Sequence, residues 1–277
     1  MGRMNDVNLV EIARRFERKL ATSAVALSTA SAPLADGWMT FGGVGSYINK
    51  SSGYGFDRDV TDAELDALVD FFASRGVEPK AELSPFAPQS LLKGLADRGF
   101  VLREFETVLY RTLQAGEDLS RLVQGTPAGL RVERVDPSDD VAVRRFVEVA
   151  GSGFVPEGES MSEVFWEMGL KAARNPSSDS YVAWIDGVAA GAGSCEVGDG
   201  LTSLFGTSVL PAYRRRGVQQ ALIAARLARG LEKGSDLAAI MSSPGIPTER
   251  NAMRLGFQMA YSRVVLVKPG AGLVPSP

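Results

Sequence analysis

The run Arg214-Arg215-Arg216-Gly217-Val218-Gln219 sets three arginines and a glycine between two elements of different periodicity. Before it, Leu201–Leu210 is rich in β-branched and apolar residues, closes at Pro211 and reads as a strand. After it, Val218, Ala221, Leu222, Ala225 and Leu227 recur at helical spacing, which predicts a helix over about 218–231. The start of a helix offers unpaired backbone N–H groups and the positive end of its dipole, so it attracts anions. Gly217 lets a phosphate approach the backbone, and the arginines add charge and forked donors. The chemistry suited to this spacing is binding of a phosphate or pyrophosphate. The alternative is a basic, solvated turn in front of an amphipathic helix.

The residues the chain lacks narrow the chemistry further. None of its 277 residues is a histidine, which removes His-based acid–base catalysis, Ser-His and Cys-His pairs, and most zinc sites. The single cysteine, Cys195, excludes a disulfide framework and a Cys-rich metal site, so no metal is expected. It lies on a predicted buried strand and reads as core, not nucleophile. A net charge of −3 argues against a general nucleic-acid or membrane-surface binder, and 45% hydrophobic with 23% charged residues is an ordinary globular balance. No run reaches the roughly 20 apolar residues that span a bilayer. Arg14-Arg15 ahead of the apolar Leu20–Ala35 imitates an export signal, but Asp6, Glu11 and Glu17 spoil the basic leader. Leu9, Ile12, Ala13 and Phe16 share one helical face, so residues 7–19 read as an amphipathic helix followed by a strand, in a cytoplasmic protein.

The elements that must position the arginine loop follow from pattern. In the first half, Trp38–Phe41 and Ser46–Asn49 read as strand cores, and Thr61-Asp62-Ala63-Glu64 is a capping box opening a helix to Ser74. Val77–Leu83 reads as a strand, Pro88–Arg98 as a helix ended by Gly99, and Val101–Leu113 as a long strand or hairpin. Gln114–Gly129 is polar and punctuated by Gly and Pro, the composition of a linker. Beyond it come a strand at Leu130–Val135, helices at Asp139–Ala150 and Ser162–Arg174 flanking an acidic Gly151–Ser160 loop, and a hairpin of Tyr181–Ile185 with Val188–Val197 about Asp186-Gly187. After the central strand and helix, Leu237–Ser242 is a strand, Thr248–Leu255 a helix capped by Thr248, and Phe257–Lys268 the last strand pair.

With that order of elements around it, Val209-x-Pro211-x-Tyr213-Arg214-x-Arg216-Gly217-Val218-x-x-Ala221-Leu222 resembles the acyl-CoA pyrophosphate loop of the GNAT superfamily of acyltransferases. The resemblance covers about residues 130–270 and implies an α/β fold with a mixed sheet. Gln219 departs from the family pattern, which has a small residue there. The first half resembles a truncated, degenerate copy: Leu95-Ala96-Asp97-Arg98-Gly99-Phe100 overlays Ala252-Met253-Arg254-Leu255-Gly256-Phe257, each followed by a strand. Its counterpart of the arginine loop, Phe56–Asp62, carries three aspartates that would repel pyrophosphate. The expected division is therefore 1–115 as a GNAT-like domain without a CoA loop, 116–129 as linker, 130–270 as the acyltransferase domain and 271–277 as a tail. The first domain is expected to pack against the second and wall the acceptor pocket.

The resemblance also implies roles. Thr207, Ser208 and Val209 match the strand whose backbone pairs with pantetheine, and Arg214, Arg215, Arg216, Gly217, Val218, Gln219 and Gln220 form the pyrophosphate cradle for acetyl-CoA or CoA. Asn251 stands where the next helix offers a side chain to the cofactor, or is a polar residue on an exposed face. Many members use a tyrosine acid where this chain has Ala252, and a glutamate base on the central strand, which here has none. Glu196, Glu249 and Tyr261 remain as catalytic candidates, each with a structural role as the alternative. The implied function is transfer of an acetyl or other short acyl group to an amine of a small molecule or peptide, with a homodimer left open. The alternative is an acyl-CoA-binding or regulatory protein without turnover.

Overall fold

The computed structural model describes residues 8–123, 125–155 and 159–275; Val7 of the expected first helix, Gln124 of the expected linker and 156–158 of the acidic loop lie outside them. The chain divides into two units. Unit 1 takes the segment to Leu109 together with Ser242–Pro244 and Met259–Pro277, and unit 2 takes Tyr110–Met241 and Gly245–Gln258.

Unit 1 opens with helix α1 (Leu9–Leu27), capped by Asn8, whose side chain accepts from the Glu11 N–H at 3.1 Å. It runs well past the expected end at Lys19. Ala21, Ala24 and Leu27 extend the buried stripe begun by Ile12, Ala13 and Phe16, and the alanines favour helix over strand. Strands β1 (Ala30–Leu34), β2 (Gly37–Phe41), β3 (Lys50–Ser52) and β4 (Lys80–Leu83) follow, with α2 (Asp62–Ala73) between β3 and β4. Ser46–Asn49, expected as a strand core, is a turn instead. Thr40 Oγ1 donates to the Ile48 carbonyl at 2.6 Å, and Asn49 Oδ1 accepts the Gly42 N–H at 2.9 Å, so side chains replace the ladder there. Helix α3 (Gln89–Asp97) leads to β5 (Val101–Thr112), one long strand with no hairpin. The expected last strand pair is likewise a single strand, β11 (Gln258–Val267), and from Met259 onward it belongs to unit 1. It pairs antiparallel with β4, Val264 opposite Leu83 and Val267 opposite Lys80. The sheet order is β1-β2-β3-β4-β11-β5, and Leu65, Leu68, Phe72, Leu91, Leu95 and Phe100 pack one side of it.

Unit 2 contains a 3₁₀ turn (Leu119–Val123) within the expected linker, then β6 (Arg131–Arg134), α4 (Asp140–Gly151), α5 (Glu163–Ala173), β7 (Ser178–Ile185), β8 (Val188–Gly198) and β9 (Leu201–Val209). Helix α6 (Val218–Glu232), β10 (Leu237–Ser242) and α7 (Pro247–Arg254) complete it. The sheet order is β10-β9-β8-β7-β6. Strands β6 to β9 run antiparallel to their neighbours, whereas β10 lies parallel to β9. Two features of this sheet shape the site. Pairing of β9 with β10 runs from Leu201–Leu237 to Leu204–Ile240, leaving the second half of β9 beyond its reach. The β8–β9 register slips between Ala192–Ser208 and Ser194–Phe205, setting Gly193 against Gly206 and Thr207 in a bulge. Gly206 has φ +59°, a backbone that glycine adopts without strain.

Candidate active site

Because β9 and β10 are parallel, the helices that follow them, α6 and α7, both start at the carboxyl end of the sheet. That is where open α/β sheets place ligands. A cleft of about 1010 Å³ opens there, lined along β9 by Thr207, Ser208 and Val209, at the arginine loop by Arg214, Arg215 and Gly217, and on α7 by Arg250, Asn251 and Arg254. The cleft lining holds no Asp or Glu among the described residues, and its four arginines, Arg214, Arg215, Arg250 and Arg254, give it a strongly positive wall.

The loop is held in the geometry an anion needs. Gly217 is the N-cap of α6 at φ +77°, with no side chain bonding to the helix start, so the first N–H groups of α6 keep their donors clear of an internal cap. Arg215 also has positive φ, at 61°. Arg214 Nε donates to the Val209 carbonyl at 3.2 Å, tying the loop to the end of β9. The opposite side of Gly217 is covered: a Cβ built there would lie 2.9 Å from Thr126 Cγ2, and Gln220 Nε2 donates to the Leu122 carbonyl of the 3₁₀ turn. The segment expected as linker thus buttresses the loop.

Gln219, the departure from the family pattern, joins the two helices. Its Nε2 donates to Thr248 Oγ1 at 3.2 Å and its Oε1 accepts from Asn251 Nδ2 at 2.6 Å; Asn251 Oδ1 in turn accepts from Arg254 at 3.2 Å. Thr248 therefore does not cap α7 as expected. Pro247 starts that helix, Ile246 occupies the cap position without a side-chain bond, and the Thr248 hydroxyl turns to Gln219. Arg250 and Arg254 are cleft residues that sequence reasoning missed. Their signal was the parallel β9–β10 pairing, which no local pattern records. Arg216 and Val218 differ in placement: Val218 lines the cleft, while Arg216 stacks over the Tyr213 ring at 5.5 Å. On the far wall Ser208 Oγ lies 3.1 Å from Ser152 Oγ, which donates to the Val149 carbonyl at 2.7 Å. Gly153 beside them lets the end of α4 close on β9, since a Cβ there would meet Ser208 Oγ at 2.7 Å.

None of the three catalytic candidates lines the cleft. Glu196 is buried on β8 and accepts from Ser178 Oγ at 3.3 Å. Glu249 accepts the Gly245 N–H at 2.6 Å, fixing the turn before α7. Tyr261 belongs to unit 1 and donates to Glu17 at 2.8 Å, in a buried cluster where Arg263 meets Glu17 at 3.4 Å and Glu82 at 2.5 Å. Burial, and then the Glu17 charge, push the Tyr261 hydroxyl well above its usual pKa, so it stays protonated. Ala252 is fully buried and Cys195 is sealed in the sheet, its thiol pushed up to about 12 by burial.

Residues 144–257 match the model of the acetyltransferase (GNAT) family. That segment is similar to a GNAT-type acetyltransferase domain. The matched segment holds the bulged strand, the arginine loop and both helices of the cleft. Solved structures extend the likeness to the first half of the chain. A GCN5-related N-acetyltransferase from Kribbella flavida is 19% identical with a TM-score of 0.67, over 95% of this chain and 97% of that one. A tandem GNAT protein from the clavulanic acid biosynthesis pathway gives 18% and 0.54, over 70% of this chain and 64% of its own. A GCN5-related N-acetyltransferase from Sphaerobacter thermophilus gives 16% and 0.51, over 73% and 64%. At these identities the likeness speaks for the fold, a mixed α/β GNAT fold in which the N-terminal half also takes part. No curated protein matches the sequence significantly. No helix among the described residues is long and apolar enough to cross a membrane.

Proposed function

We propose that the cleft binds acetyl-CoA and that the protein moves its acetyl group to an amine of a small molecule or peptide. The observation that carries this reading is the cleft itself: four arginines, no carboxylate, and an α6 N-terminus left without an internal cap. On this reading the pyrophosphate lies on the α6 start between Arg214, Arg215 and the α7 arginines. The acyl arm runs along Thr207–Val209, on the side of β9 that β10 does not cover. A neutral amine attacks the thioester carbonyl carbon, a C–N bond forms, and the C–S bond breaks with its electron pair on sulfur. The amine gives up one proton, and the products are the amide and the free thiol.

With no histidine in the chain and no carboxylate on the cleft wall, positioning and a polarised carbonyl supply the rate, and the amine arrives already deprotonated. Thiol release from acetyl-CoA across a panel of amines tests this. The rate is expected to rise with pH and level off near each acceptor's own pKa, so that changing the acceptor moves the midpoint. A midpoint that stays fixed across acceptors, and vanishes on substituting Glu196, Glu249 or Tyr261 singly, would identify a dedicated protein base instead. The lack of a carboxylate or histidine in the cleft lining also favours a second reading, an acyl-CoA-binding protein without turnover. Saturable binding with no thiol release over the whole panel would establish it.

A further inference from the structure

The bulge that shapes the acyl side of the cleft rests on a buried cation. Arg226, on the inner face of α6, has no solvent exposure. Its Nε donates to the Leu222 carbonyl one turn back, at 2.9 Å, and its Nη1 reaches across to β8 and β9. There it donates to the Ser194 carbonyl at 3.0 Å and to the Phe205 carbonyl at 3.3 Å. Ser194 and Phe205 are the facing pair at which the β8–β9 register slips. One guanidinium nitrogen therefore bonds both strands at the edge of the bulge, where the extra residue has displaced the regular ladder.

No carboxylate neutralises it among the described residues. Asp179, on the adjacent β7, is taken up by Arg134, Arg229 and Lys233. Cys195 and Tyr181, the groups that act on Arg226 electrostatically, are both held neutral by burial. Burial lowers the Arg226 pKa only to about 10, so the side chain keeps its charge near neutrality. A buried, uncompensated cation is costly to fold around, and a leucine or methionine would fill the same volume more cheaply.

Glycine at 193 makes the arrangement fit. A Cβ at Gly193 would lie 3.1 Å from the guanidinium carbon, from Nη1 and from Thr207 Oγ1. Arg226 Nη2 and Thr207 Oγ1, close about that point, are both buried without a hydrogen-bond partner. Thr207 lines the cleft. The cation thus stands directly behind the wall on which the acyl group is read to lie.

We propose that Arg226 is a positioning residue for acyl transfer: it braces the Gly193/Gly206–Thr207 bulge and keeps a positive charge behind the backbone that faces the reacting carbonyl. Its bond to the Phe205 carbonyl polarises the peptide that continues into the Gly206 N–H, making that group a better donor. Its charge also favours the negative charge that develops on the carbonyl oxygen during attack. The inference rests on the acetyl-transfer reading of the cleft, but the bracing can be measured without it.

The test uses the full chain with Arg226→Met, which keeps volume and removes charge and donors, and Arg226→Lys, which keeps charge but cannot span both carbonyls. Amide exchange at Gly206 and Thr207 is followed in the unliganded proteins. Exchange at the bulge is expected to quicken by about tenfold or more in Arg226→Met and less in Arg226→Lys. Acetyl-transfer kcat is expected to fall by about tenfold or more in Arg226→Met, while CoA affinity by calorimetry and acceptor KM stay within about threefold. Unchanged exchange in a folded variant overturns the proposal, as does quickened exchange with unchanged kcat. If Arg226→Met does not fold, Arg226→Lys carries the same readouts. A wild-type protein that binds no CoA would defeat the acetyl-transfer reading, and the exchange measurement would still decide whether Arg226 holds the bulge.

Discussion

Helix α2 of unit 1 and helix α6 of unit 2 occupy corresponding places in the two halves of the sequence, and their starts are finished in opposite ways. At α2, Thr61 Oγ1 accepts the Glu64 N–H at 3.3 Å and Glu64 Oε2 accepts the Thr61 N–H at 2.9 Å, a complete capping box clasped from outside by Arg58. The loop before it is filled as well. The Asp36 carboxylate accepts the N–H groups of Gly55 at 2.7 Å, Phe56 at 3.0 Å and Asp57 at 3.0 Å. At α6 the cap is Gly217, no side chain bonds to the helix start, and the loop carries arginines. The physics of the two sites is the same: backbone N–H groups and a helix dipole that favour negative charge. In unit 1 the chain supplies the anion itself, from Asp36 and Glu64. In unit 2 no side chain takes that place, which is where the proposed function puts the ligand. In unit 1 the backbone donors that could hold a phosphate are thus already occupied by side chains.

The largest effect should come from filling the open site. Gly217→Glu places a carboxylate in the cradle at a left-handed φ, and CoA affinity is expected to fall by about 3 kcal/mol or more. Calorimetry is the measurement, with Gly217→Ala as the uncharged control for backbone strain. Affinity unchanged in the glutamate variant would show that α6 does not hold the anion.

Emptying the closed site should cost stability and not binding. Asp36→Ala leaves three backbone donors without their acceptor, and a loss of about 2 kcal/mol is expected in denaturant unfolding. CoA affinity should stay at the wild-type value, since these residues all belong to unit 1. A variant as stable as wild type would mean that the Asp36 carboxylate does not fill the nest in solution.

The smallest effect concerns the capping box. The hydrogen bonds from Arg58, and then from the Thr61 backbone, hold the Glu64 carboxyl down at about 2. In the unfolded chain it titrates near 4.5, so its contribution is present above that pH and is lost as the pH falls toward 2. Glu64→Gln should therefore cost about 1 kcal/mol near neutrality. The gap to wild type should close as the pH drops through that window, as followed by pH-dependent unfolding. A gap that persists undiminished in acid would assign the effect to packing and not to charge.

Much of this comparison was legible in the chain. Thr61 and Glu64 stand three apart before an apolar helix, Gly217 and its arginines sit between a strand and a helix, and the Gly-Phe pairs that end α3 and α7 align by eye. In the structure those two ends repeat the same closure: the Phe100 N–H reaches the Leu95 carbonyl and the Phe257 N–H reaches the Ala252 carbonyl, both at 3.1 Å. All of these are local, set by residues within one helical turn, and local propensity writes them into short stretches of sequence. Other features turned on partners distant in the chain. Thr248 looked like a cap because it precedes a helix, yet Gln219 claims its hydroxyl. Asp36 carries no local signal of its role, since its carboxylate accepts N–H groups of a loop some 20 residues on. Leu20–Leu27 read as strand on its apolar run, and packing along the α1 stripe made it helix. Strand β11 read as the end of the second half, and its pairing with β4 put it in the first. Nothing near Arg226 in the chain marks its role, and only the β8–β9 bulge gives its charge the Ser194 and Phe205 carbonyls to bind. The sequence by itself determined most of the elements and the glycine and arginine loop before α6, since helix starts, glycines and period depend on near neighbours. The tertiary structure decided which side chains share the cleft, because parallel pairing of β9 with β10 joins α6 and α7 through hydrogen bonds between residues about 30 positions apart.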